Sequence, residues 1–222
     1  MKALLFDLDG TLIDSMPHHH NAWVEWYARR GLTMHAGQFF AATAGRSNAE
    51  ILLDLFPQYS VEEHAAMADD KEAIYREFAA KSLALIAGAQ TFVARARAAG
   101  FKLAVCTAAT LPNMALAFER HGIDAWVDTI TSPADGLRGK PHPDIFLEAA
   151  RRLDVAPEHC VVFEDAPLGV EGARRAGMKA VALTTTLTAD AFAEYDNLIA
   201  VAADFTTLAL DALKLAHQKA HS

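Results

Sequence analysis

Short apolar runs alternate with segments of helical periodicity over most of the chain. Continuous apolar runs of about 4–8 residues are typical of strands buried on both faces of a parallel sheet. They predict strands at residues 3–6, 101–107, 126–132, 160–165, 179–183 and 197–201. Apolar residues at helical spacing predict helices at 91–99, 111–121, 141–153, 167–176 and 206–215. Repeated βαβ units of this kind imply an α/β fold, a doubly wound parallel sheet with helices on both faces.

The segment from residue 16 to residue 87 has a different pattern, with helical periodicity and without a convincing strand. Ser47 and Glu50 form a capping box, which predicts the start of a helix. The predicted helices are 18–30, a short one at Phe39 and Phe40, one from Ser47 that stops at Pro57, and one from Ser60 or Val61 to about Leu85. We therefore expect an all-helical cap domain, residues 16–87, inserted into an α/β core domain, residues 1–15 and 88–222.

Two carboxylates follow the first strand, where Asp7 and Asp9 precede Gly10 and Thr11. Side chains at alternate strand positions point the same way, so both carboxylates should emerge at the edge where open α/β sheets bind ligands. Two like charges repel by about 4 kcal/mol at about 4 Å and a dielectric constant of about 20. A hard divalent cation between them would relieve this cost. The alternative is a core strand that ends in a polar turn.

Further polar residues stand at other element ends. Thr107 ends one strand, Glu164 and Asp165 end another, and Lys140 precedes a helix in which Pro141 is expected at the first position. Taken singly, these are a strand-end threonine, a helix-capping acidic pair and a solvated lysine. Taken together with the first acidic pair, they form a site for a metal and a phosphate, in which a carboxylate can act as nucleophile.

The motifs that carry these residues resemble those of the haloacid dehalogenase superfamily of phosphotransferases. They are FDLDGTLIDS at 6–15, the strand end at Thr107, GKPHPDIF at 139–146 and VVFEDAPLGVEGARRAGM at 161–178. The resemblance covers essentially the whole chain and is greatest to the β-phosphoglucomutase-like and sugar-phosphate phosphatase branch, which has a helical cap. It also implies a sheet in which the strand of Asp7 lies between those of Cys106 and Cys160. Strands two places apart hold these buried cysteines too far apart for a disulfide.

The resemblance further implies a role for each matching residue. Asp7 would be the nucleophile and Asp9 the general acid and base. Thr107, Ala108 and Lys140 would hold the transferring phosphoryl group. The ligands of Mg²⁺ would be Asp7, Asp9 through its carbonyl, and Asp165, with Glu164 in or near the coordination shell.

Cap residues are expected to select the substrate. His19 matches a hinge histidine, Arg46 lies in a segment that resembles the specificity loop, and Lys71 matches a cap lysine. Arg46 and Lys71 can equally be solvated surface charges. Asn48 and Thr110 stand where the mutase has basic residues that help to retain a second phosphate. Their presence favours a phosphatase that releases its product.

Composition narrows the classes of partner. A formal charge of −8 argues against nucleic acid and anionic membranes as partners, and 52% hydrophobic residues suffice for a buried core. No segment reaches the roughly 18 apolar residues of a membrane span, so we expect a cytoplasmic protein, monomeric by default. The leading hypothesis is a Mg²⁺-dependent phosphatase of a small phosphorylated metabolite such as a sugar phosphate. A β-phosphoglucomutase-like isomerase and a non-catalytic binding protein are the alternatives.

Overall fold

The computed structural model describes residues 1–43 and 47–220. Within these ranges, parallel strands form a six-stranded sheet in the order β3-β2-β1-β4-β5-β6. The strands are β1 (Ala3–Phe6), β2 (Lys102–Cys106), β3 (Thr129–Thr131), β4 (Cys160–Glu164), β5 (Lys179–Leu183) and β6 (Leu198–Ala202). The predicted doubly wound α/β fold is confirmed, as is the position of β1 between the strands that contain the two cysteines. Both cysteines are buried and free.

The helices divide between two compact units of the chain. The core unit, Met1–Asp14 with Ala84–Ser222, contains the sheet, and the cap unit is Ser15–Leu83. The helices of the cap unit are α1 (Met16–Arg29), α2 (Ala36–Thr43), α3 (Asn48–Leu55) and α4 (Val61–Ser82). Those of the core unit are α5 (Ala89–Ala98), α6 (Leu111–His121), α7 (Asp144–Arg152), α8 (Pro167–Arg175) and α9 (Leu210–Lys219). The predicted domain boundaries, at 15/16 and 87/88, stay a prediction. None of the helices in the described part of the chain is long and apolar enough to cross a membrane.

Alternation along the central strands gives the sheet two buried faces. On one face Leu5 and Val162 pack with Phe146 of α7 and Val170 of α8. The opposite face carries an aromatic cluster made of Phe6, Phe92, Phe163 and Phe205. Phe6 and Phe163 are register partners on β1 and β4, and their rings stack with centroids 4.8 Å apart. The two strands that lead into the candidate site are thus fixed by packing on both sides.

Local side-chain signals set the ends of the cap helices. The capping box of Ser47 and Glu50 is present at the start of α3, as predicted, and Ser60 forms a second one with Glu63 at the start of α4. Trp26 is fully buried, and its indole N–H donates to the carbonyl of Met67 at 3.2 Å. Helix α4 ends at Ser82, three residues before the predicted end, because Leu83 takes up an extended conformation.

The strand predicted at 126–132 is present but shorter, since β3 covers Thr129–Thr131 and Ile123–Trp126 forms a 3₁₀ helix. Asp128 explains the late start. Its carboxylate accepts the backbone N–H of Leu103, on β2, at 2.7 Å. This N–H therefore does not form a backbone hydrogen bond to the segment before Thr129, and β3 starts only there.

Two helix starts also differ from prediction. Helix α7 begins at Asp144 rather than at Pro141, because Pro143 disfavours the helical conformation of the residue before it. Helix α9 begins at Leu210 rather than at 206. The carboxylate of Asp204 accepts the backbone N–H of Thr206 at 2.7 Å. This local turn competes with helix formation.

Candidate functional site

Three buried carboxylates meet at the carboxyl end of the central strands. Asp7 follows β1, and its backbone N–H donates to the carbonyl of Phe163 on β4 at 3.0 Å. Glu164 ends β4 and Asp165 follows it. One carboxylate oxygen from each of Asp7, Glu164 and Asp165 lies within 4.8 Å of the other two. Register pairing of β1 with β4 brings together acidic residues that are more than 150 positions apart.

Lys140 reaches into this acidic group. Its side chain is 9% exposed, and its ammonium contacts the carboxylate of Asp7 and lies 2.5 Å from Oε1 of Glu164. The ammonium therefore bridges the ends of β1 and β4. The structure brings together Asp7, Lys140, Glu164 and Asp165, the convergence that the sequence predicted for these residues.

Burial dominates the electrostatics of the group. It raises the pKa of Asp7, an effect that Lys140 opposes and the charge of Asp9 reinforces. Burial likewise raises the pKa of Glu164 and of Asp165. For Lys140, burial alone would lower the pKa, but the carboxylates of Asp7 and Glu164 together raise it above its usual value.

The donor set fits a hard divalent cation. Three buried carboxylates face a single ammonium among the described side chains, so the group carries excess negative charge. Carboxylate and carbonyl oxygens are the ligands that Mg²⁺ prefers, and a cation would stabilise the ionised carboxylates that burial disfavours. The residues present therefore fit Mg²⁺.

Asp9 lies in the turn that follows β1 rather than on a continued strand. Gly10 has φ +75°, and its N–H donates to the carbonyl of Ile13 at 2.9 Å, so the chain reverses here as predicted. Because the alternation of the strand stops before Asp9, its carboxylate lies outside the group formed by the carboxylates of Asp7, Glu164 and Asp165.

Thr107 follows β2, next to β1 in the sheet, and is buried, whereas Ala108 is exposed. The hydroxyl oxygen of Thr107 accepts the backbone N–H of Ala109 at 2.9 Å. A hydroxyl that accepts one hydrogen bond keeps its own proton for donation. The side chain of Thr107 is therefore positioned by its own turn and retains a donor.

In the cap unit, His19 and Lys71 come together although they lie on different helices. The ammonium of Lys71 lies 2.7 Å from Nδ1 of His19 and 2.9 Å from Oε1 of Glu72, and its side chain is 2% exposed. The ring of His19 stacks on Tyr75 with centroids 3.9 Å apart. Lys71 is thus buried rather than the solvated surface lysine considered above. Arg46 lies outside the described residues.

Sequence reasoning missed the threonines that follow β5. Thr186 donates its hydroxyl to Oδ2 of Asp165, and Thr185 donates its hydroxyl to the carbonyl of Gly10 at 2.5 Å. The available signal was a run of three hydroxyl side chains, 184–186, at the end of a buried strand. Without the sheet order, nothing in the sequence connects that run to the first motif.

Gly169 of α8 lies directly against the carboxylate of Glu164. A Cβ at this position would lie 1.9 Å from Cδ of Glu164, which is fully buried and held by Lys140. We expect Gly169→Ala to displace Glu164 and to lower the free energy of unfolding by about 3 kcal/mol or more, because a buried charge loses its partner. Denaturant unfolding measures the change.

The matched control is Gly37→Ala in the exposed part of α2, where a Cβ would meet no atom within 4 Å. An alanine in a helix is favoured over glycine by about 0.5–1 kcal/mol, so this variant should be unchanged or more stable. Equal stability of Gly169→Ala and the wild-type protein would mean that Glu164 is free to move away at no cost.

Known proteins of related sequence and structure share these features. A family model described as a haloacid dehalogenase-like hydrolase matches residues 1–177. Validoxylamine A 7'-phosphate phosphatase of Streptomyces hygroscopicus subsp. limoneus is 33% identical over 89% of this chain and 92% of its own. Fructose-1-phosphate phosphatase YqaB of Escherichia coli (strain K12) is 34% identical over 81% and 94%. The crystal structure of a family IA, variant 3 hydrolase from Entamoeba histolytica HM-1:IMSS has a TM-score of 0.91 and 26% identity, covering 98% of this chain and 100% of that one.

Proposed function

Because the chain belongs to the haloacid dehalogenase-like hydrolase family, we propose that it is a Mg²⁺-dependent phosphatase that hydrolyses a sugar phosphate or a similar small phosphorylated metabolite. Two relatives support the substrate class, since their names give fructose 1-phosphate and validoxylamine A 7'-phosphate as substrates. The fold alone would not indicate a substrate class, because one fold hosts many activities.

The observation that carries the proposal is the contact of the Lys140 ammonium with Asp7. A phosphoryl group that approaches Asp7 meets a fixed positive charge at the same point. Preorganised cations of this kind stabilise the charge that develops on the transferring oxygens. Thr107 adds a buried hydroxyl at the end of the neighbouring strand.

In the first half of the proposed reaction, an oxygen of the Asp7 carboxylate attacks phosphorus and the bond from phosphorus to the sugar oxygen breaks. Asp9 protonates that leaving oxygen, so the sugar departs as a neutral alcohol and an aspartyl-phosphate forms. In the second half, Asp9 accepts a proton from water as the water oxygen attacks phosphorus, and the bond from phosphorus to the Asp7 oxygen breaks. Inorganic phosphate leaves and both aspartates return to their starting states.

Asp7, the carbonyl of Asp9 and Asp165 would hold Mg²⁺, with Glu164 in or near the coordination shell. A bound Mg²⁺ offsets the negative charge of the phosphate and of the carboxylates. We expect EDTA to abolish phosphate release and added Mg²⁺ to restore it, with Ca²⁺ a poor substitute because its coordination is longer and looser. Equal rates with and without the chelator would contradict this assignment.

The cap unit supplies the proposed contacts to the sugar. Lys71 is buried and lies 2.7 Å from Nδ1 of the partly buried His19. The two offer an ammonium and a ring nitrogen held in fixed positions, and groups of this kind hydrogen-bond sugar hydroxyls. Arg46 is also proposed to contact the substrate, and this proposal rests only on the resemblance of its segment to the specificity loop.

Asn48 supports the phosphatase over the alternative isomerase. Its side-chain amide donates to Oε1 of Glu72 at 2.6 Å. At the position where the mutase carries an arginine, this chain therefore has a neutral group bound to a buried carboxylate. A bisphosphate needs cations at both of its ends, and this pairing gives poor support for a second phosphate.

The decisive experiment is a phosphate-release screen over hexose, pentose and triose phosphates with Mg²⁺. It runs beside an assay that converts β-glucose 1-phosphate to glucose 6-phosphate in the presence of the bisphosphate. We expect inorganic phosphate from at least one sugar phosphate. Glucose 6-phosphate formed faster than free phosphate would favour the isomerase, and the absence of both products would favour the non-catalytic binding protein.

A further inference from the structure

The loop after β5 contacts both acidic segments of the site. Three threonines, 184–186, follow the strand. The hydroxyl of Thr186 donates to Oδ2 of Asp165, and that of Thr185 donates to the carbonyl of Gly10 at 2.5 Å. These contacts come from a fourth strand end, in addition to those of β1, β2 and β4.

Asp165 receives a hydroxyl on each of its oxygens. Thr11, in the turn after β1, donates to Oδ1 at 3.2 Å, while Thr186 donates to Oδ2. An ionised carboxylate accepts about four hydrogen bonds in the plane of its oxygens. Two hydroxyls on different elements therefore fix the rotation of the carboxylate and leave each oxygen with a lone pair for a cation.

Packing around Gly10 leaves this carboxylate little room to turn. A Cβ at Gly10 would lie 2.1 Å from Oδ2 of Asp165 and 2.8 Å from Oγ1 of Thr186. The backbone of the turn after β1 thus lies against the hydrogen bond itself. Asp165 is 4% exposed, so bulk water does not easily replace a lost hydroxyl.

From these contacts we infer that Thr186 is a positioning residue for the divalent cation: its hydroxyl holds Asp165 in the orientation that binds Mg²⁺. The inference rests on the proposed function, because it takes Asp165 as a ligand. Partners that orient a metal ligand are worth about 10–100-fold in metal affinity. Thr186 does not touch the substrate in this role and acts only through Asp165.

Titration calorimetry of Mg²⁺ binding to the full chain, without substrate, tests the inference. Thr186→Val removes the hydroxyl and keeps the shape of the side chain, and it should raise the Kd about 10–100-fold. Thr186→Ser keeps the hydroxyl and should bind like the wild-type protein. Thr184→Val is the matched control, since the hydroxyl of Thr184 lies 3.5 Å from the carbonyl of Ala202 and contacts neither acidic segment.

Thr186→Ala is a second deletion, which places no branched side chain beside the buried carboxylate, and thermal unfolding in EDTA shows that each variant is folded. Wild-type affinity in the two deletion variants would overturn the inference. So would equal weakening in Thr184→Val, or weak binding in Thr186→Ser. If the wild-type protein itself bound no Mg²⁺, the inference and the Mg²⁺ requirement of the proposed function would both be wrong. If the wild-type protein bound Mg²⁺ and the Thr186 variants bound it equally well, only the inference would be wrong.

Discussion

Asp7→Asn should lose phosphatase activity by about 10⁴–10⁶-fold, the loss typical of an enzyme without its nucleophile. Asparagine has nearly the same shape, but its amide does not form the aspartyl-phosphate. The fold should persist, because a neutral group replaces one of three crowded, buried carboxylates. Steady-state phosphate release measures the loss, and mass spectrometry after an acid quench should find phosphorylated Asp7 in the wild-type protein alone.

Asp211→Asn makes the same change on α9 at a side chain that is 93% exposed, and should leave activity unchanged. Loss of a general acid or base already lowers the rate by more than about tenfold. Asp7 would therefore be excluded as the nucleophile if the turnover of Asp7→Asn were within about tenfold of that of the wild-type protein.

Lys140→Met should lower the free energy of unfolding by about 3–5 kcal/mol in EDTA, because it leaves Asp7 and Glu164 buried without their positive partner. Added Mg²⁺ should recover part of the loss, since a cation offsets the same charges. Activity should fall by about 10²–10³-fold or more, as when a preorganised group that stabilises the transition state is removed. Denaturant unfolding with and without Mg²⁺ separates the two effects.

Lys214→Met is the control for Lys140→Met. Lys214 is 42% exposed and lies 3.4 Å from Asp211, a surface ion pair. Such pairs contribute about 0–1 kcal/mol. A loss in Lys140→Met no larger than in this control would mean that the two buried carboxylates do not depend on Lys140.

The sequence predicted those elements whose signals are local. Helix α6 lies at Leu111–His121 and is closed by Gly122 with φ +65°, both as expected, and the capping box at Ser47 starts α3. Two of the errors lie where a side chain accepts a backbone N–H. Asp128 and Asp204 each accept a backbone N–H. Strand β3 is shorter than its apolar pattern, and α9 begins at Leu210 rather than at 206 without being shorter.

The candidate site was predictable where residues end strands, because the carboxyl ends of parallel strands share one edge. That argument brought Asp7, Glu164 and Asp165 to one place, whereas Lys140, which precedes a helix, joined them only through the motif that contains it. It could not show that Lys140 pairs with Glu164, or that Thr186 donates to Asp165, since both contacts depend on distances across the sheet. Hydrogen bonds between residues far apart in the chain leave no periodic signal.

The position of β1 between β2 and β4 has a consequence for the synthesis of the chain. About 150 residues separate β1 from β4, and a ribosome that adds about 5–20 residues per second needs about 8–30 s to make them. During that time β1 lacks β4, and until residues 102–106 are made it lacks β2 as well. An apolar strand with an unpaired edge is prone to wrong pairing, so a chaperone that shields this segment should increase the yield of folded protein. Asp7 is thus made long before the residues that hold it in place.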